Sequence, residues 1–135
     1  MDDLLREFLT ETTESLSVLD SELVKLEQNP NDPGLLANIF RLVHTIKGTC
    51  GFLGLPRLEA VAHASENVLG KVRDGEMVIT PHAISLILQA LDRIKLLVGQ
   101  LEATESEPAG EDSDLTSKLN ALAEGRGEEA AAEEA

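Results

Sequence analysis

His44 stands in the run HTIKGTCGFLGL, with Lys47 three residues on and Gly48 and Gly51 beyond it. With an ordinary pKa of about 6.5, much of an imidazole is uncharged near neutral pH and available as a nucleophile. A lysine one helical turn away supplies positive charge suited to phosphoryl oxygens. Glycine inside a helix costs roughly 0.5–1 kcal/mol relative to alanine. Gly51 and Gly54 also suit the fraying end of a helix, but Gly48 needs another reason, and close approach by a second molecule is one. Together these residues are what a histidine requires if it is to carry a phosphoryl group.

Four segments carry apolar residues at alternating spacings of three and four, the pattern of helices packed side by side. The first runs Leu5, Leu9, Thr12, Leu16, Leu19, Leu23, Leu26, and the second Leu36, Ile39, Val43, Ile46, Cys50, Leu53. The third runs Leu58, Val61, Ser65, Val68, Val72, and the fourth Ile84, Ile87, Leu91, Ile94, Val98, Leu101. Asp32-Pro33 and Thr80-Pro81 read as cap and first turn, Pro56 opens the third helix after Gly54, and Asp74-Gly75 closes it. Connections this short make neighbours antiparallel. The expected fold is all-α, an up-down four-helix bundle over residues 1–102. A polar linker follows over 103–112, then a short fifth helix over 113–125 built on Leu115, Leu119 and Leu122, then an acidic, disordered tail over 126–135.

At about 100° per residue from Val43, the apolar seam of the second helix spans about −80° to +20°. His44 falls near 100°, Gly51 near 80°, Gly48 near 140° and Lys47 near 40°, so the histidine lies on a flank. The third helix runs back along the second, and facing residues have numbers that sum to about 110. His44 then lies level with Glu66 and Lys47 level with His63, which predicts one cluster: His44, Lys47, His63 and Glu66. A carboxylate bonded to one ring nitrogen fixes the tautomer and leaves the other lone pair ready to attack. The flank around Phe40, Arg41, Thr45, Gly48 and Gly51 is the expected partner-binding surface.

Other chemistries fit less well. His44, His63, Glu59 and Glu66 could ligate a cation, but the Glu-x-x-His order of di-metal bundles is reversed here and Lys47 would repel a metal. A plain adaptor bundle would leave His44 as an ordinary surface residue. His82 follows a helix-opening proline and reads as solvated. No glycine-rich phosphate loop or nucleotide fold is visible, so the chain is not expected to phosphorylate itself.

The 135 residues contain 2% aromatic side chains and a single cysteine, Cys50, so aliphatic residues build the core and no internal disulfide forms. There is no 18-residue apolar stretch, and the MDDLLREF start is acidic where a signal peptide is basic. A cytoplasmic protein without membrane insertion is expected. The net charge of −14 argues against nucleic acid as partner. Residues 102–135 hold 11 acidic and 2 basic side chains, and no acid occurs between Asp32 and Glu59, where Arg41, Lys47 and Arg57 lie. A hairpin core with few charges accounts for that gap equally well.

The run HTIKGTCGFLGL resembles the phosphorylation motif of histidine phosphotransfer (HPt) domains, and HASENVLGKVRDGEM resembles the third helix of the N-terminal phosphotransfer domain of CheA-type chemotaxis kinases. The likeness covers roughly residues 1–102. It implies that His44 is phosphorylated by the ATP-binding domain of a CheA-type kinase and passes the group to an aspartate of a CheY-like response regulator. Glu66 would bond the other ring nitrogen, with Lys47 and His63 as supporting neighbours. Gly48 would give room to the partner, and Thr49 and Cys50, which stand where many relatives have smaller residues, would bear on partner choice. ATP and Mg²⁺ would be bound by the kinase domain or the response regulator, leaving this chain without a cofactor and monomeric. A free-standing phosphorelay protein is the alternative, though a chain ending in an acidic tract looks cut from a longer protein.

Overall fold

The computed structural model describes residues 3–125, so the expected tail over 126–135 lies outside the described residues. Five helices follow in order: α1 Asp3–Gln28, α2 Pro33–Leu53, α3 Pro56–Arg73, α4 Pro81–Thr104 and α5 Ser113–Ala123. The first four form a closed antiparallel square, with α1 against α2 and α4, and α3 against α2 and α4. Helix α5 lies in the groove between α3 and α4. The architecture is the all-α bundle that the seams require, with a fifth helix on its side.

The helix ends are built locally. The Asp32 carboxylate accepts from the backbone N–H of Gly34 at 2.9 Å and Leu35 at 3.2 Å, and the Thr80 hydroxyl accepts from Ala83 at 3.1 Å. Proline follows each of these caps in the first turn, where its missing N–H has no intrahelical partner to lose. Gly54 ends α2 at φ 71°, a left-handed conformation that glycine adopts without strain.

Helix α3 is different, because Leu55 precedes it and offers no side-chain cap. Glu107, beyond the end of α4, reaches back instead and accepts from the N–H groups of Arg57 and Leu58, each at 2.9 Å. Arg57 in turn donates to the carbonyls of Pro108 and Ala109 and to Asp112. Asp112 is buried and also accepts from Arg93 at 2.7 Å, while Arg93 pairs with Asp114 in the first turn of α5. The segment read from composition as a polar linker does connect α4 to α5, but it is tied down along its length. Arg57 belongs to this strap and has no part in the surroundings of His44.

All the seam residues are buried except Leu5 and Leu53, which are half-buried. Burial extends further on α4, where Leu86, Ala90 and Leu97 lie on the same stripe as Arg93 and so face α5. Leu115, Leu119 and Leu122 close that side. Burying side chains of this size stabilises by about 1.5–3 kcal/mol each. Cys50 is fully buried on α2; burial first, then the charges of Glu107 and Glu59, push its thiol up to about 12. It is a protonated core residue.

The Asp112 carboxyl is held below its ordinary range, chiefly by the Arg57 hydrogen bond, against burial and with help from Arg93. A depressed folded-state pKa means that its contribution is complete above the ordinary carboxylate range and is lost as pH falls through the folded value. Asp112→Asn is expected to cost about 2 kcal/mol and to raise amide exchange at Leu115, Leu119 and Leu122. Acidification of the unaltered chain should act in the same direction. Unchanged exchange in the variant would rule out the carboxylate as the anchor of α5.

Candidate functional site

The α2–α3 hairpin presents two facing stripes. On α2, Phe40, His44 and Lys47 follow at i, i+4 and i+7; on α3, Glu66, Gly70 and Arg73 do the same. His44 Nδ1 lies 2.6 Å from Glu66 Oε2, and Lys47 Nζ donates to Glu66 Oε1 at 3.0 Å. Both oxygens of one carboxylate are thereby engaged, one by each cation-capable neighbour.

The exposures differ sharply along this chain of contacts. The His44 side chain is 58% exposed and that of Glu66 13%. The imidazole therefore stands in solvent while the group that orients it is rooted against the bundle. An ionised carboxylate only accepts, so in the neutral ring Nδ1 carries the proton and Nε2 keeps its lone pair. Burial pushes the Glu66 carboxyl up, but the hydrogen bonds from His44 and Lys47 outweigh it and hold the group below the ordinary carboxylate range. Glu66 is thus anionic at neutral pH, as its role as acceptor requires. Lys47 uses one of its three N–H donors on Glu66 and has capacity for an anion at the same face.

The other expected site residues have different surroundings. His63 is exposed on α3 and makes no hydrogen bond to the cluster among the described residues. The flexible Lys47 stem reaches the Glu66 carboxylate, an ion pair that a neutral imidazole does not provide. Arg41 and Thr45 are exposed; the Arg41 guanidinium donates to Asn38 Oδ1 at 2.7 Å and the Thr45 hydroxyl to the Arg41 carbonyl at 2.9 Å. A Cβ added at Gly48 would meet nothing within 4 Å, so no neighbour in the fold needs that glycine. At Gly51 a Cβ would come 3.3 Å from the Glu59 carboxylate, so this glycine makes room for a neighbouring helix. Phe40 is half-buried and its ring stacks on His44, with centroids 5.9 Å apart and planes 11° from parallel.

Two features were not anticipated. Phe52, 77% exposed, continues the α2 stripe of Arg41, Thr45 and Gly48 and adds an apolar end to it. Arg73 lays its guanidinium carbon 4.0 Å from the Phe40 ring centroid. The register rule that pairs 44 with 66 also pairs 40 with 70, so the neighbourhood of Phe40 was open to the same arithmetic. Among the described residues no group of three or more His, Cys, Asp and Glu stands together to hold a metal ion. Glu66, the central member of the candidate metal set, has both oxygens already occupied.

A bundle with one solvent-facing histidine held by a rooted carboxylate defines a class of phosphoacceptor modules, and the family comparison agrees. The chain belongs to the Hpt domain family, whose model matches residues 3–104. It is homologous to the N-terminal phosphotransfer domains of CheA. The sensor histidine kinase CheAY of Helicobacter pylori is 43% identical over 110 residues, covering 79% of this chain and 14% of that protein. The CheA phosphotransferase domain from Thermotoga maritima superposes with a TM-score of 0.72 at 34% identity, covering 76% of this chain and 99% of that one. The phosphorylated P1 domain of CheA3 in complex with CheY6 from R. sphaeroides gives 0.83 at 25% identity, covering 92% and 98%. The chain thus spans a small fraction of the full-length curated proteins it matches, 14% of the first and 16% of a CheA from Halobacterium salinarum.

Nitrogen NMR of the imidazole checks the tautomer directly. Neutral His44 is expected to carry its proton on Nδ1, with Nε2 bare, and Glu66→Ala should abolish that preference without loss of helicity. A proton on Nε2 in the unaltered chain would contradict the assignment.

Proposed function

We propose that this chain is the phosphoryl-carrier domain of a CheA-type chemotaxis kinase, with His44 Nε2 as the carrier atom. The observation that carries the reading is the contrast at His44: an exposed ring whose Nδ1 is bonded at 2.6 Å to a largely buried carboxylate. The donor is the ATP-binding domain of the kinase, where ATP and Mg²⁺ are held, and the acceptor is an aspartate of a CheY-like response regulator. In keeping with that role, we place the domain in the cytoplasm, as a monomer.

In the first step the Nε2 lone pair attacks the γ-phosphorus, the Nε2–P bond forms, and the bond to the bridging oxygen breaks with its electron pair leaving on ADP. The ring becomes cationic as it bonds phosphorus, and the Glu66 carboxylate at Nδ1–H stabilises that charge. Lys47 faces the incoming phosphoryl oxygens. In the second step an aspartate oxygen of the regulator attacks phosphorus, the N–P bond breaks, and its pair returns to Nε2. The Nδ1 proton stays with the His44–Glu66 pair throughout. Gly48, the Arg41–Thr45 stripe and the neighbouring Phe52 form the ground on which the partner sits.

Incubation with a cognate CheA-type kinase and ATP should place an acid-labile, base-stable phosphate on this chain. His44→Gln is expected to abolish the label with circular dichroism unchanged, and Glu66→Gln to slow its appearance. Label surviving His44→Gln would sink the assignment. Gly48→Ala should raise stability by up to about 1 kcal/mol through helix propensity while slowing transfer to the response regulator. A variant that is both more stable and equally fast would remove Gly48 from the docking surface.

A further inference from the structure

We infer that Phe40 is a positioning residue: clamped by Gly70 and Arg73 of α3, its ring sets the plane of the His44 imidazole so that Nε2 is presented in a fixed direction. The inference rests on the carrier role of His44 and changes the part first given to Phe40, from partner contact to support. One hydrogen bond at Nδ1 fixes a point on the imidazole but leaves the ring able to rock about that bond, and more than half of the side chain faces water. A second contact is needed to define the plane. Phe40, four residues earlier on the same helix, provides it as a near-parallel ring, 11° off, at 5.9 Å.

The Phe40 ring is itself confined. A Cβ on Gly70 would stand 3.4 Å from Phe40 Cε2, so the aromatic edge fills the space that a larger residue would take. The Arg73 guanidinium covers the ring with its carbon 4.0 Å from the centroid, a cation–π geometry. Arg73 is steadied by Asp74, whose Oδ1 accepts from Nε at 3.1 Å. The α3 stripe Glu66, Gly70, Arg73 therefore touches the α2 stripe twice over, once at the nitrogen of His44 and once at the ring beneath it.

Orientation of a nucleophile acts on the transfer step and leaves association with the partner alone, and small misplacements of a reacting atom are costly in rate. Phe40→Leu keeps an apolar side chain but removes the flat face; Phe40→Tyr restores it. In the isolated domain, Phe40→Leu should increase the picosecond–nanosecond mobility of the His44 ring measured by carbon relaxation, and Phe40→Tyr should return it to the original value. With phosphorylated domain as donor, the single-turnover rate at saturating response regulator should fall about tenfold for Phe40→Leu, with half-saturation unchanged. Arg73→Gln, at a more exposed site, should move both readouts in the same direction by less, and it keeps the test decisive where Phe40→Leu fails to fold. Unchanged ring mobility, or a raised half-saturation with an unchanged maximal rate, would overturn the inference. The relaxation measurement needs no phosphorylation, so an unaltered domain that accepts no phosphate would strike at the carrier role alone.

Discussion

The register between α2 and α3 is the constraint on which the rest depends. A single carboxylate, that of Glu66, meets both His44 and Lys47 only because the turn at Gly54–Leu55 brings the helices back in step. The left-handed Gly54 and the helix-opening Pro56 set that turn, and the far-off Glu107 caps the helix that follows it. A shift of one residue would rotate Glu66 by about 100° around α3, away from the histidine, to the buried position of Ser65 or the exposed one of Asn67 according to its direction. The His44 side chain is exposed, but what orients it is a property of the packed hairpin.

In the proposed carrier role, this division between an exposed imidazole and a rooted orienting group lets the domain take part in group transfer from its open surface. In the role we propose, the carboxylate fixes the proton of the neutral ring on one nitrogen and leaves the other free, the lysine supplies charge for phosphoryl oxygens, and the open ground at Gly48 admits a second protein. Everything else needed for phosphoryl transfer (nucleotide, metal ion, acceptor aspartate) can be brought by partners. The strap around Arg57, Asp112 and Arg93 serves a different end. It holds α5 in the α3–α4 groove, on the side of α3 away from His44, so the His44 face and the C-terminal helix do not compete for space.

Much of this was legible in the residues. The 3–4 seams located four helices because the apolar pattern is uninterrupted and the caps are local: Asp32-Pro33, Gly54, Pro56 and Thr80-Pro81 act within one turn. The His44–Glu66 pairing followed from counting back from the turn, since rise per residue is the same on both helices. Harder to read were interactions that join distant segments. Glu107 caps α3 across some fifty residues, and a run of Glu, Pro, Gly and Asp looks the same whether it is free or bound. Arg57 was grouped with Lys47 by proximity in sequence, yet the strap takes it. His63 stood level with Lys47 in the count, but level is not contact when a nearby carboxylate attracts the lysine. Phe40 was read only as surface, because an aromatic one turn from a histidine does not reveal which face it offers.

Phosphorus–nitrogen NMR on the imidazole-labelled, phosphorylated chain reads the carrier atom itself. A one-bond coupling between phosphorus and Nε2 of His44 is expected, with Nδ1 still protonated and bonded to Glu66. Coupling to Nδ1, or a phosphate attached to any other residue, would contradict it.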